Sequence, residues 1–205
     1  MKQTPSSSAL PSVKEELLAV VDETGAFTGA WVFRKEAHEK GILHAASHIF
    51  LYRTGESGKT EILLQRRSPQ KDSFPGCLDI SSAGHVETGM DFESTAQKEL
   101  REELGLQVQP EALTYAFSQI IETRNRFHGA VFHNREFNKV YLLERDVELA
   151  ALQLQKEEVS EVLWMDADEI ANRLENNDSE ICLDKDEYFI VLEAINQSSK
   201  KGRGS

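Results

Sequence analysis

The chain has 205 residues, with 23 Lys and Arg against 35 Asp and Glu and a formal charge of −12. That length suits one domain with a sizeable core, and the acidity argues against a protein of nucleic acid duplexes, whose phosphate contacts need a basic face. No apolar run approaches the roughly 18 residues that span a bilayer, and Cys77 and Cys182 show neither CxxC nor zinc spacing.

Met1–Ser12 is rich in Ser and Pro and lacks the apolar stretch of a secretory signal. It reads as a flexible lead-in, with one domain over 13–198, a flexible tail over 199–205, and free thiols in the cytoplasm. LLAVVDETGAFTGAWVF predicts two strands about a turn at Glu23–Thr24–Gly25. An apolar strand near Ala45–Tyr52 and another over 61–67, joined by GESGK, predict a hairpin, with His38, His44 and His48 before and within its first strand. His44 and His48 alternate in phase and share a face. A loop over 68–76 and a short extended piece over 77–85 lead to a helix over Phe92–Leu104, with Gly105 as its stop. Strands follow near 113–123 and 138–145, with the intervening residues a loop or strand edge bearing His128, His133 and Glu136. A short strand over Val159–Met165, a helix opened by DADE and a final amphipathic helix with Phe189, Leu192 and Ile195 toward the core complete the chain. Strands around one helix, with helices at the end, make a layered α/β/α domain. Phe74, Trp31 and Trp164 read as core rather than as stacking platforms.

The chain is organised around Gly84–Leu106, GHVETGMDFESTAQKELREELGL. Glu99, Glu102 and Glu103 stand at i, i+3 and i+4, so their carboxylates project from one side of the helix, beside an apolar stripe of Ala96, Leu100 and Leu104. Like charges this close repel. A cluster of hard oxygen ligands suits a divalent cation, and Mg²⁺ in particular combines one or two carboxylates with water and substrate phosphates.

This stretch resembles the Nudix box, G-x5-E-x7-R-E-U-x-E-E-x-G-U. Gly84 matches the first glycine, Glu99–Leu100 the E-U pair, Glu102–Glu103 the E-E pair and Gly105–Leu106 the closing G-U. Met90 stands in place of the first glutamate and Lys98 in place of the arginine. The resemblance implies an α/β/α sandwich with a mixed sheet and a metal-dependent pyrophosphohydrolase, with Mg²⁺ or Mn²⁺ held by Glu99, Glu102 and Glu103. A lysine's point charge orders carboxylates less well than a planar guanidinium, so both departures bear on activity.

The flanks HEKGILHAASHIFLY, LLQRRSPQKDSFPGCLDISSAGHVETG and EFNKVYLLE are similar to a Nudix branch related to isopentenyl diphosphate isomerase, which also includes hydrolases of nucleoside diphosphates and similar compounds. That family's catalytic cysteine precedes the Gly-His pair, where this chain has Ala83. An alanine moves no proton, which favours hydrolysis over isomerisation. The isomerase's histidine ligands find counterparts in His38, His44 and His85, and one of its glutamates in Glu136. The expected metal ligands are thus Glu99, Glu102, Glu103 and Glu136. His38, His44 and His85 offer a second metal position or a phosphate contact, although a histidine beside a strand is more often structural.

Arg66 and Arg67 end a strand near the box, and either guanidinium could fork onto a diphosphate. Adjacent strand residues face opposite sides, so at most one enters the site. Lys71, His85 and Gly84 complete the substrate-binding candidates, and Glu157 or Glu158 offers an acid outside the box. The expected substrate is a small diphosphate, a nucleoside diphosphate or one linked to another group. Rival readings are an isomerase of a prenyl diphosphate and a catalytically weak nucleotide-binding module. Dimers are common in this fold family, so a homodimer is an open expectation.

Overall fold

A computed structural model describes residues 16–127 and 129–202. The expected lead-in lies outside the described residues. Asp22 shapes the first turn by accepting hydrogen bonds from the backbone of Thr24 and Ala26, between β1 (Leu17–Val21) and β2 (Phe27–Phe33). A short helix, α1 (Arg34–Lys40), then carries His38. The sequence reading contains no helix here, because the seven residues RKEAHEK bury only Ala37 and His38 and show no apolar period.

The frame is a mixed sheet built on β3 (His44–Thr54). β3 runs parallel to β8 (Ala130–Glu144), in register from His44↔Glu136 to Tyr52↔Glu144. It is antiparallel to β4 (Thr60–Arg67), which pairs with β9 (Val159–Asp166) and with β5 (Leu78–Asp79). β6 (Ser82–His85) pairs with the first half of β3. β7 (Thr114–Phe127) forms a long hairpin with β8. Of the segment expected as a loop or strand edge over 125–137, residues 125–127 and 130–137 are strand: cross-strand pairing from Arg124↔His133 to Phe127↔Ala130 carries them despite their polar sequence, and His128 lies outside the described residues.

Period-two alternation sends the strand side chains into two cores. Ala45, Ile49, Leu51, Leu63 and Tyr141 meet α2 (Phe92–Leu104) through Ala96, Leu100 and Leu104. Phe50, Ile62, Leu64, Val140 and Leu142 meet α3 (Ala167–Glu175) and α4 (Lys185–Gly202) through Ile170, Leu174, Tyr188, Val191 and Ile195. The result is the expected α/β/α sandwich. Phe189 and Leu192 flank this second core half-buried, and α4 continues to Gly202, into the segment read as a tail. Leu100 is fully buried, and truncation to alanine would cost about 2–5 kcal/mol.

α2 has well-defined ends. Asp91 accepts from the Ser94 N–H at 2.8 Å while the Ser94 hydroxyl meets the Asp91 N–H at 3.0 Å. Gly105, at φ 70°, closes the helix with its N–H directed at Arg101 O and Leu100 O. Trp164 flanks the first core as expected, but Trp31 is exposed on β2, because that strand pairs only with β1 among the described residues. No described helix is long and apolar enough to cross a membrane.

Candidate active site

β6 divides the chemistry. Its alternation turns Ser82 and Gly84 toward α2, and Ala83 and His85 toward the opposite face. On the α2 side, the Ser82 hydroxyl donates to Glu103 at 2.6 Å. A Cβ at Gly84 would stand 2.2 Å from Glu99 Cδ. Glu103 is buried and Glu99 nearly so, while Glu102 is exposed at the helix surface. Burial pushes the Glu103 carboxyl up to about 8, against the lowering effect of Ser82. Burial also raises Glu99, against the attraction of Lys98. Buried carboxylates with so few donors are a donor set that a hard divalent cation fits.

Lys98 reaches Glu99 and Glu102 on that face, and Glu87 before the helix, but not Glu103. Its Nζ lies 3.0 Å from Glu99, 3.5 Å from Glu102 and 2.6 Å from Glu87. Glu158, rather than Glu157, enters the neighbourhood: it pairs with Lys71 and acts electrostatically on Glu103.

On the other face of β6, His38 from α1, His44 from β3, His85 from β6 and Glu136 from β8 each bring a ligand atom within 4.8 Å of the others. Glu136, expected among the metal ligands, lies with the three histidines rather than beside the box acids, because β8 presents it opposite His44 on the far face. The rings crowd together, with centroids 5.0 Å apart for His44 and His85 and 5.3 Å for His38 and His44. His44 Nδ1 lies 2.8 Å from Ile42 O. A carbonyl only accepts, so Nδ1 carries the proton and Nε2 keeps its lone pair. That lone pair faces a Glu136 oxygen at 3.8 Å. His44 Nε2 and His38 Nε2 are buried without a hydrogen-bond partner among the described residues. Two acceptors facing each other across a gap fit a cation between them.

The titration of this group follows from its partners. Burial lowers His38 to about 3 and His44 to about 4, with the positive His85 adding to both. Burial also opposes charge on His85, but its contacts with Glu136 and Glu16, each 3.1 Å, outweigh that and raise it to about 9. His48 lies farther along β3 on the same face and is bound through Nδ1 to Glu187 of α4 at 2.9 Å. Glu187 and Glu16 were invisible as site residues in the sequence; both belong to segments with no motif.

The quartet opens into a cleft of about 360 Å³. Arg67, Lys71 and Lys185 bring positive charge to it, and Phe74 and Phe132 form an apolar wall. Phe74, read as core from the sequence, instead lines this cleft with φ 49°, its ring 5.0 Å from Phe127. Arg67 is held by Asp79 at 2.9 Å and by Ser73 O. Arg66, one residue out of phase, turns away to Glu161 and Gly76 O, which removes it from the substrate-binding candidates. Arg67 and Lys71 line the cleft and also act electrostatically on Glu103, so they stand between the two acidic centres.

A NUDIX domain model matches residues 42–184 of this chain. The chain belongs to the Nudix family. An uncharacterised Nudix hydrolase of Clostridium acetobutylicum is 35% identical over 164 residues, 80% of this chain and 76% of that protein. Nudix hydrolase 3 of Arabidopsis thaliana is 39% identical over 166 residues, of which this chain spans only 21% of the longer plant protein. A crystal structure from Deinococcus radiodurans superposes with a TM-score of 0.57 at 23% identity, over 78% of this chain and 90% of that one, a likeness of fold. This protein is a Nudix hydrolase, of a family that generally works with divalent metals.

Proposed function

We propose that this Nudix hydrolase cleaves the pyrophosphate bond of a nucleoside diphosphate, free or linked to another group, with Mg²⁺ or Mn²⁺. The observation that carries the reading is the placement of Glu99, Glu102 and Glu103 on one side of β6, with Arg67 and Lys71 between them and the cleft. The cation, when bound, neutralises diphosphate charge and lowers the pKa of a water. Glu99, Glu102 and Glu103 would hold it. Arg67 and Lys71 offer charge-assisted donors to the phosphoryl oxygens. Glu99, set against Gly84, accepts the proton of the attacking water, and water adds across the P–O–P bond to give a monophosphate and a second phosphorylated fragment. A second cation position at His38, His44, His85 and Glu136 belongs to the same proposal. So does a reducing, cytoplasmic compartment, motivated by two cysteines without paired spacing.

The test is turnover of nucleoside diphosphates, nucleotide sugars, dinucleotides and a prenyl diphosphate with Mg²⁺, Mn²⁺ or chelator, with Glu102→Gln alongside. Cation-dependent cleavage lost in the variant is the expected result. Ligand binding without cleavage across the panel would overturn it. The branch resemblance and the histidine-lined cleft favour one further reading, an isomerase of prenyl diphosphates. Ala83 in that cleft supplies no proton, and a shifted double bond in recovered prenyl diphosphate would be the sign of it.

A further inference from the structure

Met90 and Lys98 depart from the family pattern, and the structure shows how this chain accommodates both. Met90 is half-buried and packs on the core beneath α2. A carboxylate in its place would enter apolar surroundings. Lys98 nevertheless has an acidic partner before the helix. Its shortest contact, 2.6 Å, is to Glu87, three residues upstream of Met90. Glu87 is fixed on two sides. Its backbone bridges Leu18 of β1, and its carbonyl accepts from the Met90 N–H across a turn whose third residue is Gly89 at φ 81°. That conformation favours glycine.

An ammonium has three N–H donors, and here three carboxylates surround it. Without Glu87, the charge of Lys98 would fall on Glu99 and Glu102 alone, whose oxygens are the ones a cation needs. With Glu87 present, the shortest contact of the ammonium, 2.6 Å, is to a carboxylate outside the helix, against 3.0 Å to Glu99 and 3.5 Å to Glu102.

We propose that Glu87 is the positioning residue of the metal-binding helix: by holding Lys98 it orders Glu99 and Glu102 and limits the competition of the ammonium with the metal. This rests on the assignment of the box acids as metal ligands. In this role Glu87 acts through Lys98, its ion-pair partner.

The test is Mn²⁺ binding by calorimetry, with no substrate present, on wild type, Glu87→Gln, Glu87→Asp, Lys98→Met and Glu87→Gln/Lys98→Met. Glu102→Gln identifies which binding event belongs to the box. Glu87→Gln should weaken that event about tenfold or more, the usual loss for a group that orients a ligand. Glu87→Asp, a methylene shorter, should fall between it and wild type. In the Lys98→Met background, Glu87→Gln should change affinity less than about twofold, because pairs that act through each other are not additive. Unchanged affinity in Glu87→Gln, or an equal loss with and without Lys98, overturns the proposal. A wild type whose Mn²⁺ binding is indifferent to Glu102→Gln overturns the metal assignment beneath it instead.

Discussion

Gly84 and Glu99 meet at a distance that leaves no room for a side chain: a methyl group on residue 84 would lie 2.2 Å from Glu99 Cδ and 2.4 Å from Glu99 Cγ. The glycine is needed here for close approach, since its own φ is not in the left-handed region. Gly84→Ala should push the Glu99 carboxylate out of line while β6 keeps its pairing with β3. A displacement of about 1 Å at a reacting group costs about a hundredfold, so kcat/KM should fall by that order. The thermal midpoint should move little. Steady-state kinetics with a parallel melting curve checks both, and a Gly84→Ala enzyme of full activity would remove Glu99 from the machinery.

Glu103 carries a folded-state pKa raised to about 8 by burial. Between the ordinary carboxylate value and that point, folding takes up a proton, so the metal-free protein loses stability as pH rises through this window. Glu103→Gln keeps an acceptor for Ser82 and removes the charge. Metal-free Glu103→Gln should therefore melt at least as high as wild type at pH 8, and the gap should close toward pH 4. Turnover should fall by about tenfold or more, since loss of a ligand exceeds loss of a group that merely orients one. Melting in chelator at both pH values, with activity assays, separates these effects.

The quartet of His38, His44, His85 and Glu136 should bind Mn²⁺ independently of α2. At a free concentration about a hundred times its Kd, a cation there stabilises the fold by about 2.7 kcal/mol. Glu136→Gln should abolish that rise and leave the event sensitive to Glu102→Gln intact. His85 is protonated below about 9 in the metal-free state, and ligation needs the neutral ring. Affinity at this position should therefore increase from pH 6 to pH 9, with proton release visible as a buffer-dependent heat.

His48 and Glu187 form a buried pair that ties β3 to α4. Burial opposes charge on His48, yet Glu187 and Glu136 raise it to about 9. Its contribution is complete below the ordinary histidine value and disappears as pH rises through about 9. Glu187→Gln should lower stability by about 2–3 kcal/mol near neutral pH, the equivalent of roughly two pKa units, and by much less at pH 10. Urea titrations at the two pH values check this.

Much of this arrangement was legible in the chain because it is local. Phe92–Leu104 combines a four-residue apolar spacing with a terminal glycine, and the helix has those limits. The shared face of Glu99, Glu102 and Glu103 follows from their spacing, while their reading as metal ligands came from the resemblance to the box. What escaped notice depends on residues distant in sequence. Glu187 reaches His48 across 139 positions, and Glu16 meets His85 from a strand edge without any motif. Glu87 falls on an unspecified position of the box, and only the fold brings it to Lys98. Arg66 and Arg67 could not be told apart without the phase of β4, and the polar distal part of the β7–β8 hairpin, beyond the strands expected near 113–123 and 138–145, gave no apolar alternation to mark it as strand.

Because successive residues of Ser82–His85 face opposite ways, this short strand works as a partition wall with a different ligand set on each side. Shifting it by one residue would turn His85 toward the glutamates and place Gly84 beneath the histidines, disabling both centres at once. Shifting it by two would preserve which way each residue faces but move it along the wall. Insertions or deletions of a single residue between Ser81 and Val86 should thus be uniformly inactivating. Substitutions on either side can retune one centre without disturbing the other, which leaves the two chemistries free to diverge on a common frame.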